Sequence, residues 1–220
     1  VISVLIPSRR RDLALAASID SLHACAASPG RIGIEYLVAA DPDDYSTAIT
    51  AGACGARTWT APERYGYQRL HEYYNHLAAM ASGAWLLMWN DDTRMLTPGW
   101  DQIIEAQTRD TVLWPHARGH GTLSNPFPAW PAWWTRATGR VSPVMHPDTH
   151  IQGIGRALGK ARRISVEISH DRPDITGRPA DQTYAEGRAL LGPSGMVQGW
   201  DRDEAGRLAL ADADLIRAAR

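Results

Sequence analysis

The chain has 220 residues, 44% hydrophobic and 21% charged, enough for one substantial core or two small ones. Its 23 basic and 24 acidic residues leave a formal charge of -1, which argues against holding nucleic acid or a membrane through net charge; such a partner would need a local patch. No run approaches the roughly 20 apolar residues of a membrane span, and two cysteines, Cys25 and Cys54, cannot build a disulfide framework. The apolar opening Val1 to Ile6 is short and is followed, not preceded, by arginines, unlike a signal peptide. A soluble cytoplasmic protein is expected. Lys160 is the only lysine, so 22 of the 23 basic residues are Arg, and nine Trp stand against one Phe. Codon bias explains an Arg excess, whereas Trp is favoured where sugars or bases stack.

In chain order, Val1 to Ile6 is a β-branched run ended by Pro7 and reads as a buried strand. Asp12 to Ala27 carries apolar residues near helical spacing and stops at Pro29-Gly30. A strand over Ile32 to Ala39 leads to the turn Asp41-Pro42-Asp43-Asp44, followed by a short helix near Tyr45 to Ala53 and a strand near Ala56 to Thr60. Positions 70, 73, 74, 77, 78 and 81 predict an amphipathic helix over Tyr67 to Ala81. Ala84 to Trp89, apolar on both faces, reads as a central strand running into Asn90-Asp91-Asp92, with a helix over Pro98 to Gln107. This alternation implies a mostly parallel sheet with right-handed crossovers, and ligands bind at the carboxyl ends of such strands. Ser8 to Arg11, Asp41 to Asp44 and Asn90 to Thr93 should therefore open on one edge. The second half is less regular: a strand at Asp110 to Trp114, an unpatterned Pro and Trp segment at Pro126 to Trp134, a helix at Thr149 to Leu158, a strand at Arg163 to Ser169, and helices at Asp181 to Leu191 and Asp201 to Ala219.

Adjacent carboxylates after an apolar strand suit a divalent cation, because Mg2+ and Mn2+ take oxygen ligands and use few protein carboxylates when phosphate is present. A solvated turn or a helix cap is the alternative. Arg9, Arg10 and Arg11 stand at a helix start, where cations oppose the dipole, and so favour an anionic ligand.

The opening strand ending in Pro7, the acids at Asp41 to Asp44, Asn75, and Ala81-Ser82-Gly83 before the strand that ends in Asn90-Asp91-Asp92 together resemble the family-2 glycosyltransferases of the A-type (GT-A) fold. The resemblance covers residues 1 to about 105, departs from the DxD metal motif at Asn90, and continues more thinly to Asp148 and His170. It implies an α/β fold, a single domain over residues 1–220 with a nucleotide-sugar-binding half (1–105) and an acceptor-binding half (106–220). The activity it implies is a metal-dependent, inverting transfer of a sugar from a nucleoside diphosphate donor, UDP-linked, to an acceptor hydroxyl.

By the same resemblance Asp148 is the general base, and Asp92, with Asp91 and His170, holds Mn2+ or Mg2+. Pro7, Ser8, Arg10, Asp41, Arg69 and Asn90 contact the donor, and Tyr67 stands near it. Asn75 braces the loops. Trp130, Trp133 and Trp134 precede the base and are expected to shape the acceptor site, with a place in the core or a helix cover as the alternative for each; Trp100 and Trp200 are structural. The acceptor is a saccharide or small molecule or, given the Arg and Trp content, a hydroxymethylated base of phage DNA, extruded from the stack in the host-cell cytoplasm. Two other readings remain open: a nucleotidyltransferase acting on a sugar phosphate, although Ser8 to Arg11 lacks the glycines such a loop wants, and a noncatalytic nucleotide-sugar-binding module. A zinc site at the His116/His120 or His146/His150 pairs is opposed by Gly119 and Pro147 within them.

Overall fold

The computed structural model describes residues 1–27, 33–120, 125–177, 182–190 and 202–220. The expected helix stop at Pro29-Gly30 and Trp200 lie outside these residues, as do Ile32, Asp181, Leu191 and Asp201 at the ends of predicted elements.

The first half follows the predicted alternation. Strand β1 (Ile2–Pro7) leads to helix α1 (Asp12–Cys25), β2 (Ile34–Ala40), α2 (Tyr45–Ala53), β3 (Arg57–Thr60), a 3-10 turn (Tyr67–Arg69), α3 (Leu70–Met80) and β4 (Trp85–Met88). β1 pairs in parallel with β2 on one side and β4 on the other, and β2 pairs in parallel with β3. Both faces of β1 are covered, which is why its sequence is apolar throughout rather than alternating. Ile2, Val4 and Ile6 meet Leu15, Ile19 and Leu22 of α1 on one side. Leu5 meets Tyr73 and Leu77 of α3 on the other.

Ser3, the polar exception in β1, is fully buried. Its hydroxyl donates to Glu35 at 2.5 Å and accepts the Gly83 N–H at 2.9 Å. Gly83 is required by this approach, since a Cβ there would stand 2.5 Å from Ser3 Oγ and 2.9 Å from the Val1 carbonyl oxygen.

After β4 come β5 (Thr93–Met95), α4 (Trp100–Glu105), β6 (Val112–Ala117), β7 (Ala129–Pro131), α5 (Ala132–Thr138), α6 (Pro147–Ala157), β8 (Ala161–His170), α7 (Pro173–Thr176), α8 (Gln182–Ala189) and α9 (Arg202–Ala218). The eight strands among the described residues form one sheet in the order β3-β2-β1-β4-β7-β6-β8-β5. The β4-β7, β6-β7 and β5-β8 pairs are antiparallel, so the parallel character belongs to the first half and to β6-β8. β5 and β7, each three residues long, carry no usable period and were not expected from sequence; the predicted strand at 110–114 begins later and runs to Ala117.

The proline and tryptophan segment is β7 and α5, and it is core. Trp130 and Trp134 are 0% and 2% exposed, with the Trp130 indole N–H donating to Thr135 Oγ1 at 2.9 Å. Trp133 packs at the edge of the same cluster and donates to the Arg109 carbonyl at 2.6 Å. Trp100 is also fully buried and donates to Leu22 O. α9 closes this side by packing on α6, close enough that a Cβ on Gly153 would stand 2.9 Å from that of Ala209. The contact is pinned by buried Asp212, which meets His150 at 2.9 Å and Arg140 at 3.0 Å.

Candidate active site

The loops after β1, β2 and β4 open on one edge and line a cleft of about 550 Å³, to which the second half adds Asp148, His120, His170 and α8. That volume falls in the range of small-ligand clefts.

Two carboxylate loops organise the arginines. The Arg10 N–H donates to Asp44 at 2.7 Å, and Asp44 also accepts from the N–H and hydroxyl of Thr47 as the cap of α2. This tie holds Arg10 at φ 52°, a left-handed backbone unusual for a side chain of its size. The consequence is to aim Arg9 and Arg11 inward and Arg10 outward. Arg9 spans Asp41 at 2.7 Å and Asp43 at 2.6 Å, and Arg11 reaches Asp91 at 2.9 Å.

Arg10, expected to contact the donor, pairs with exposed Asp43 and is absent from the cleft wall, whereas Arg9 and Arg11 line it. The anions that answer the basic helix start are thus the protein's own carboxylates. Arg69 is displaced in the same way: it pairs with Glu63 and lies 4.2 Å from the Tyr65 ring centroid, while Arg64 and Arg172 line the cleft.

Pro7, Ser8 and Asp41 line the cleft as expected. Asp41 is almost wholly buried and accepts the Tyr73 hydroxyl. The Tyr74 hydroxyl lies 3.0 Å from both the Trp89 carbonyl and Asn90 Oδ1. Asn90 itself lines the cleft.

Asp91 and Asp92 are separated by their surroundings. Asp91 uses both oxygens within the protein, accepting from Ser8 Oγ at 2.8 Å and from Arg11 at 2.9 Å. Burial, with the neighbouring Asp92 charge, pushes it up to about 6 despite Arg11. Its contacts make Asp91, expected from sequence as a supporting ligand, an anchor for Ser8 and Arg11.

Burial would also raise Asp92, but contact with His170, the Tyr184 hydroxyl at 2.6 Å and the Arg11 charge outweigh it and bring the group below the usual carboxylate range. β5 is what brings His170 here: Thr93 pairs with His170 across the β5-β8 ladder, and the Asp171 N–H donates to the Asp92 carbonyl at 2.8 Å.

Asp92 Oδ1 and His170 Nε2 lie 3.1 Å apart, both buried, and neither has a hydrogen-bond partner among the described residues. A carboxylate oxygen and an imidazole nitrogen, buried side by side, are ligand atoms of the kind a divalent cation takes. Among the described residues no three His, Cys, Asp or Glu side chains gather closely enough to hold an ion alone. The pair therefore fits an ion completed by phosphate oxygens and water, as Mg2+ and Mn2+ are held in phosphate sites. The His116/His120 and His146/His150 pairs do not converge as a zinc site would: His120 stacks on His170, and His150 is committed to Asp212.

Asp148 enters from α6. His146 and Pro147 start that helix, and Asp148 stands in its first turn, where the backbone N–H groups of Thr149 and of Asp148 itself favour the charged carboxylate. Burial outweighs these and pushes the carboxyl up to about 6. The loop before it is clamped by Asn75 of α3, whose amide accepts from the Val141 and Ser142 N–H groups at 2.8 and 3.0 Å and donates to the Ser142 carbonyl at 2.9 Å. Tyr67, Met145, His146 and Arg172 line the cleft with Asp148, whereas Trp130, Trp133 and Trp134 do not reach it. The acceptor-shaping place expected of those tryptophans is not where they stand: Trp130 and Trp134 are packed into the core and Trp133 lies against it.

α8 lies across the opening, with Tyr184 against Asp92 and under Arg11, its ring centroid 5.0 Å from the guanidinium carbon, and with Glu186 paired to Arg64. Nothing in the sequence pattern singled out Tyr184, Arg64 or Arg172, which are scattered along the chain and meet only in space.

No family model and no curated protein matches the chain. Solved structures do. A mannosyltransferase from Pyrobaculum calidifontis in complex with GDP-Man and Mn2+ superposes with a TM-score of 0.65 at 13% identity, over 99% of this chain and 74% of that one. Glucosyl-3-phosphoglycerate synthase from Mycobacterium tuberculosis, in complex with Mn2+, UDP and phosphoglyceric acid, gives 0.62 at 16% identity, over 86% and 74%. TarS of S. aureus, residues 1–349 with UDP-GlcNAc, gives 0.61 at 13% identity, over 96% and 71%. The fold is therefore that of the GT-A-type glycosyltransferases. At these identities the likeness is one of architecture.

Proposed function

We propose that the protein transfers a sugar from a nucleoside diphosphate donor, UDP-linked, to an acceptor hydroxyl. The observation that carries this is one cleft holding the Asp92–His170 pair and, on its second-half wall, the Asp148 carboxyl. Asp92 and His170 would hold Mn2+ or Mg2+. When bound, the cation supplies positive charge to the departing diphosphate. Asp148 takes the proton of the acceptor hydroxyl as its oxygen bonds to the anomeric carbon, while the bond from that carbon to the diphosphate oxygen breaks. A single displacement of this kind inverts the anomeric centre. Arg11, anchored by Asp91, adds a fixed cation beside the diphosphate, and Asp41, Pro7 and Ser8 form the donor side of the cleft.

The similar structures support a nucleotide-sugar donor and a divalent cation, since those proteins were solved with GDP-Man, UDP or UDP-GlcNAc and, in two of the three, with Mn2+. The acceptor in this reading is a saccharide or small-molecule hydroxyl; a DNA base loses the part of its support that came from Trp130 and Trp134, which are buried.

The test is a donor screen by mass spectrometry with Mn2+, with EDTA, and with Asp92→Ala. Release of nucleoside diphosphate that falls at least about 100-fold with EDTA and in the variant is expected. Pyrophosphate as product would replace the proposal with a nucleotidyltransferase, and UDP binding without turnover of any acceptor would replace it with a binding module.

A further inference from the structure

His120 has no part in the reading above, yet it is built into the cation site. Its ring lies nearly parallel to that of His170, with centroids 5.1 Å apart and planes 12° from coplanar, and its Nε2 is 2.9 Å from His170 Nδ1. Fully buried Phe127 stands edge-on to both rings, at 4.9 Å from His170 and 6.5 Å from His120. The His120 N–H donates to the Ala117 carbonyl at 3.2 Å, which fixes the turn that carries the side chain off β6.

A neutral imidazole has one N–H and one lone pair. The 2.9 Å contact therefore allows two arrangements. In the first, His170 Nδ1–H donates to His120 Nε2, and His170 Nε2 carries a lone pair. In the second, the proton flows the other way and His170 Nε2 carries a hydrogen. The second would set an N–H 3.1 Å from a carboxylate oxygen of Asp92, a pairing that ordinarily lines up as a strong hydrogen bond. The two atoms are within reach of each other but out of line for such a bond. The first arrangement is the tautomer a cation needs, because only a lone pair can ligate.

We propose that His120 is a positioning residue that accepts the Nδ1 proton of His170 and so presents His170 Nε2, together with Asp92, to a divalent cation. The proposal rests on the cation site of the preceding reading, and it assigns to a residue outside that site the choice of which nitrogen faces the metal.

Two measurements on the whole chain test it. In metal-free protein labelled with 15N-histidine, at about pH 8 where imidazoles are neutral, long-range proton–nitrogen correlation reads the His170 tautomer directly. The Nδ1–H form is expected in the wild type and the Nε2–H form in His120→Phe, which keeps an aromatic ring for stacking but has no acceptor. Mn2+ affinity with UDP or GDP present, from the EPR signal of free Mn2+, is expected to weaken about 10- to 100-fold in His120→Phe. In His120→Gln, whose amide oxygen can accept the same proton, it should stay within about threefold.

An Nε2–H tautomer in the wild type, or a Phe variant that binds Mn2+ as well as the wild type, overturns the proposal. Equal losses in Phe and Gln variants would do the same, since that pattern means shape and not hydrogen bonding matters. A wild type that takes up no Mn2+ with either nucleotide overturns the cation site itself. That failure is told apart from the first because the tautomer is read without metal.

Discussion

Replacing Asp148 with Asn removes the proposed base while keeping an oxygen to accept from the first turn of α6, and two opposite effects follow. Transfer should fall about 100- to 10,000-fold in kcat/KM, the usual share of a general base, or about 3 to 5.5 kcal/mol of barrier. Stability should rise. Burial lifts the Asp148 carboxyl from 3.8 to about 6, so the folded protein holds this proton more tightly than the unfolded chain does. Its contribution is then best below about pH 4 and is lost as pH climbs through about 6. Taken in full, that rise corresponds to about 3 kcal/mol, and to about 2 kcal/mol once discounted for the part of the side chain that still meets water. The neutral amide avoids the cost, so Asp148→Asn should be about 2 kcal/mol more stable than wild type at pH 7.5 and equal to it below pH 4. Urea unfolding at the two pH values measures this. The wild-type kcat/KM should climb about tenfold per pH unit on the acid side and level off above about pH 6. A variant within threefold of wild-type activity, or one destabilised at pH 7.5, would refute the assignment of Asp148 as a desolvated base.

Gly83→Ala should lower the melting temperature by about 4 to 8 °C, because the new methyl meets the Ser3 backbone N at 2.8 Å as well as its side chain and about 2 kcal/mol of strain results. An unchanged thermal transition would show that β1 and β4 can separate at that point. Asp212→Ala should cost about 3 kcal/mol in urea unfolding, since it leaves His150 buried without its partner and frees Arg140, and hydrogen exchange should show faster opening of α9. A loss below about 1 kcal/mol would mean that α9 is held by its apolar face alone. Asn75→Ala should cost about 2 kcal/mol for three hydrogen bonds. It should also lower kcat more than it changes the donor KM, because the loop it clamps leads to the base and not to the nucleotide side. An equal effect on both constants would remove that distinction.

The first half was legible because its strands and helices are long enough to show their periods, and because β1 and β4 are buried on both faces and so read as unbroken apolar runs. From that order it follows that the loops after β1, β2 and β4 share an edge, and Ser8, Asp41 and Asp92 were found there as expected. Neighbouring side chains were less legible. Among three consecutive arginines, which ones face inward depends on the left-handed backbone at Arg10, and that depends on a hydrogen bond to Asp44, 34 residues away. The tryptophans before Asp148 were less legible because aromatic composition does not separate a core position from a cleft wall, and β7 and α5 are too short to show a period.

What the sequence by itself determined was the α/β alternation, the acidic turn after a central strand, and the order of motifs that resembles the GT-A fold. Those are local properties, written in hydrophobic period and turn chemistry over stretches of several residues. Only the tertiary structure decided that His170 stands against Asp92, that Asp91 is spent on Arg11 and Ser8, and that His120 and Tyr184 join the site. These depend on β5 pairing with the end of β8, 77 residues beyond its own position at Thr93 and His170. A three-residue strand has no period to announce that pairing, and its partner is chosen by the packing of the whole sheet.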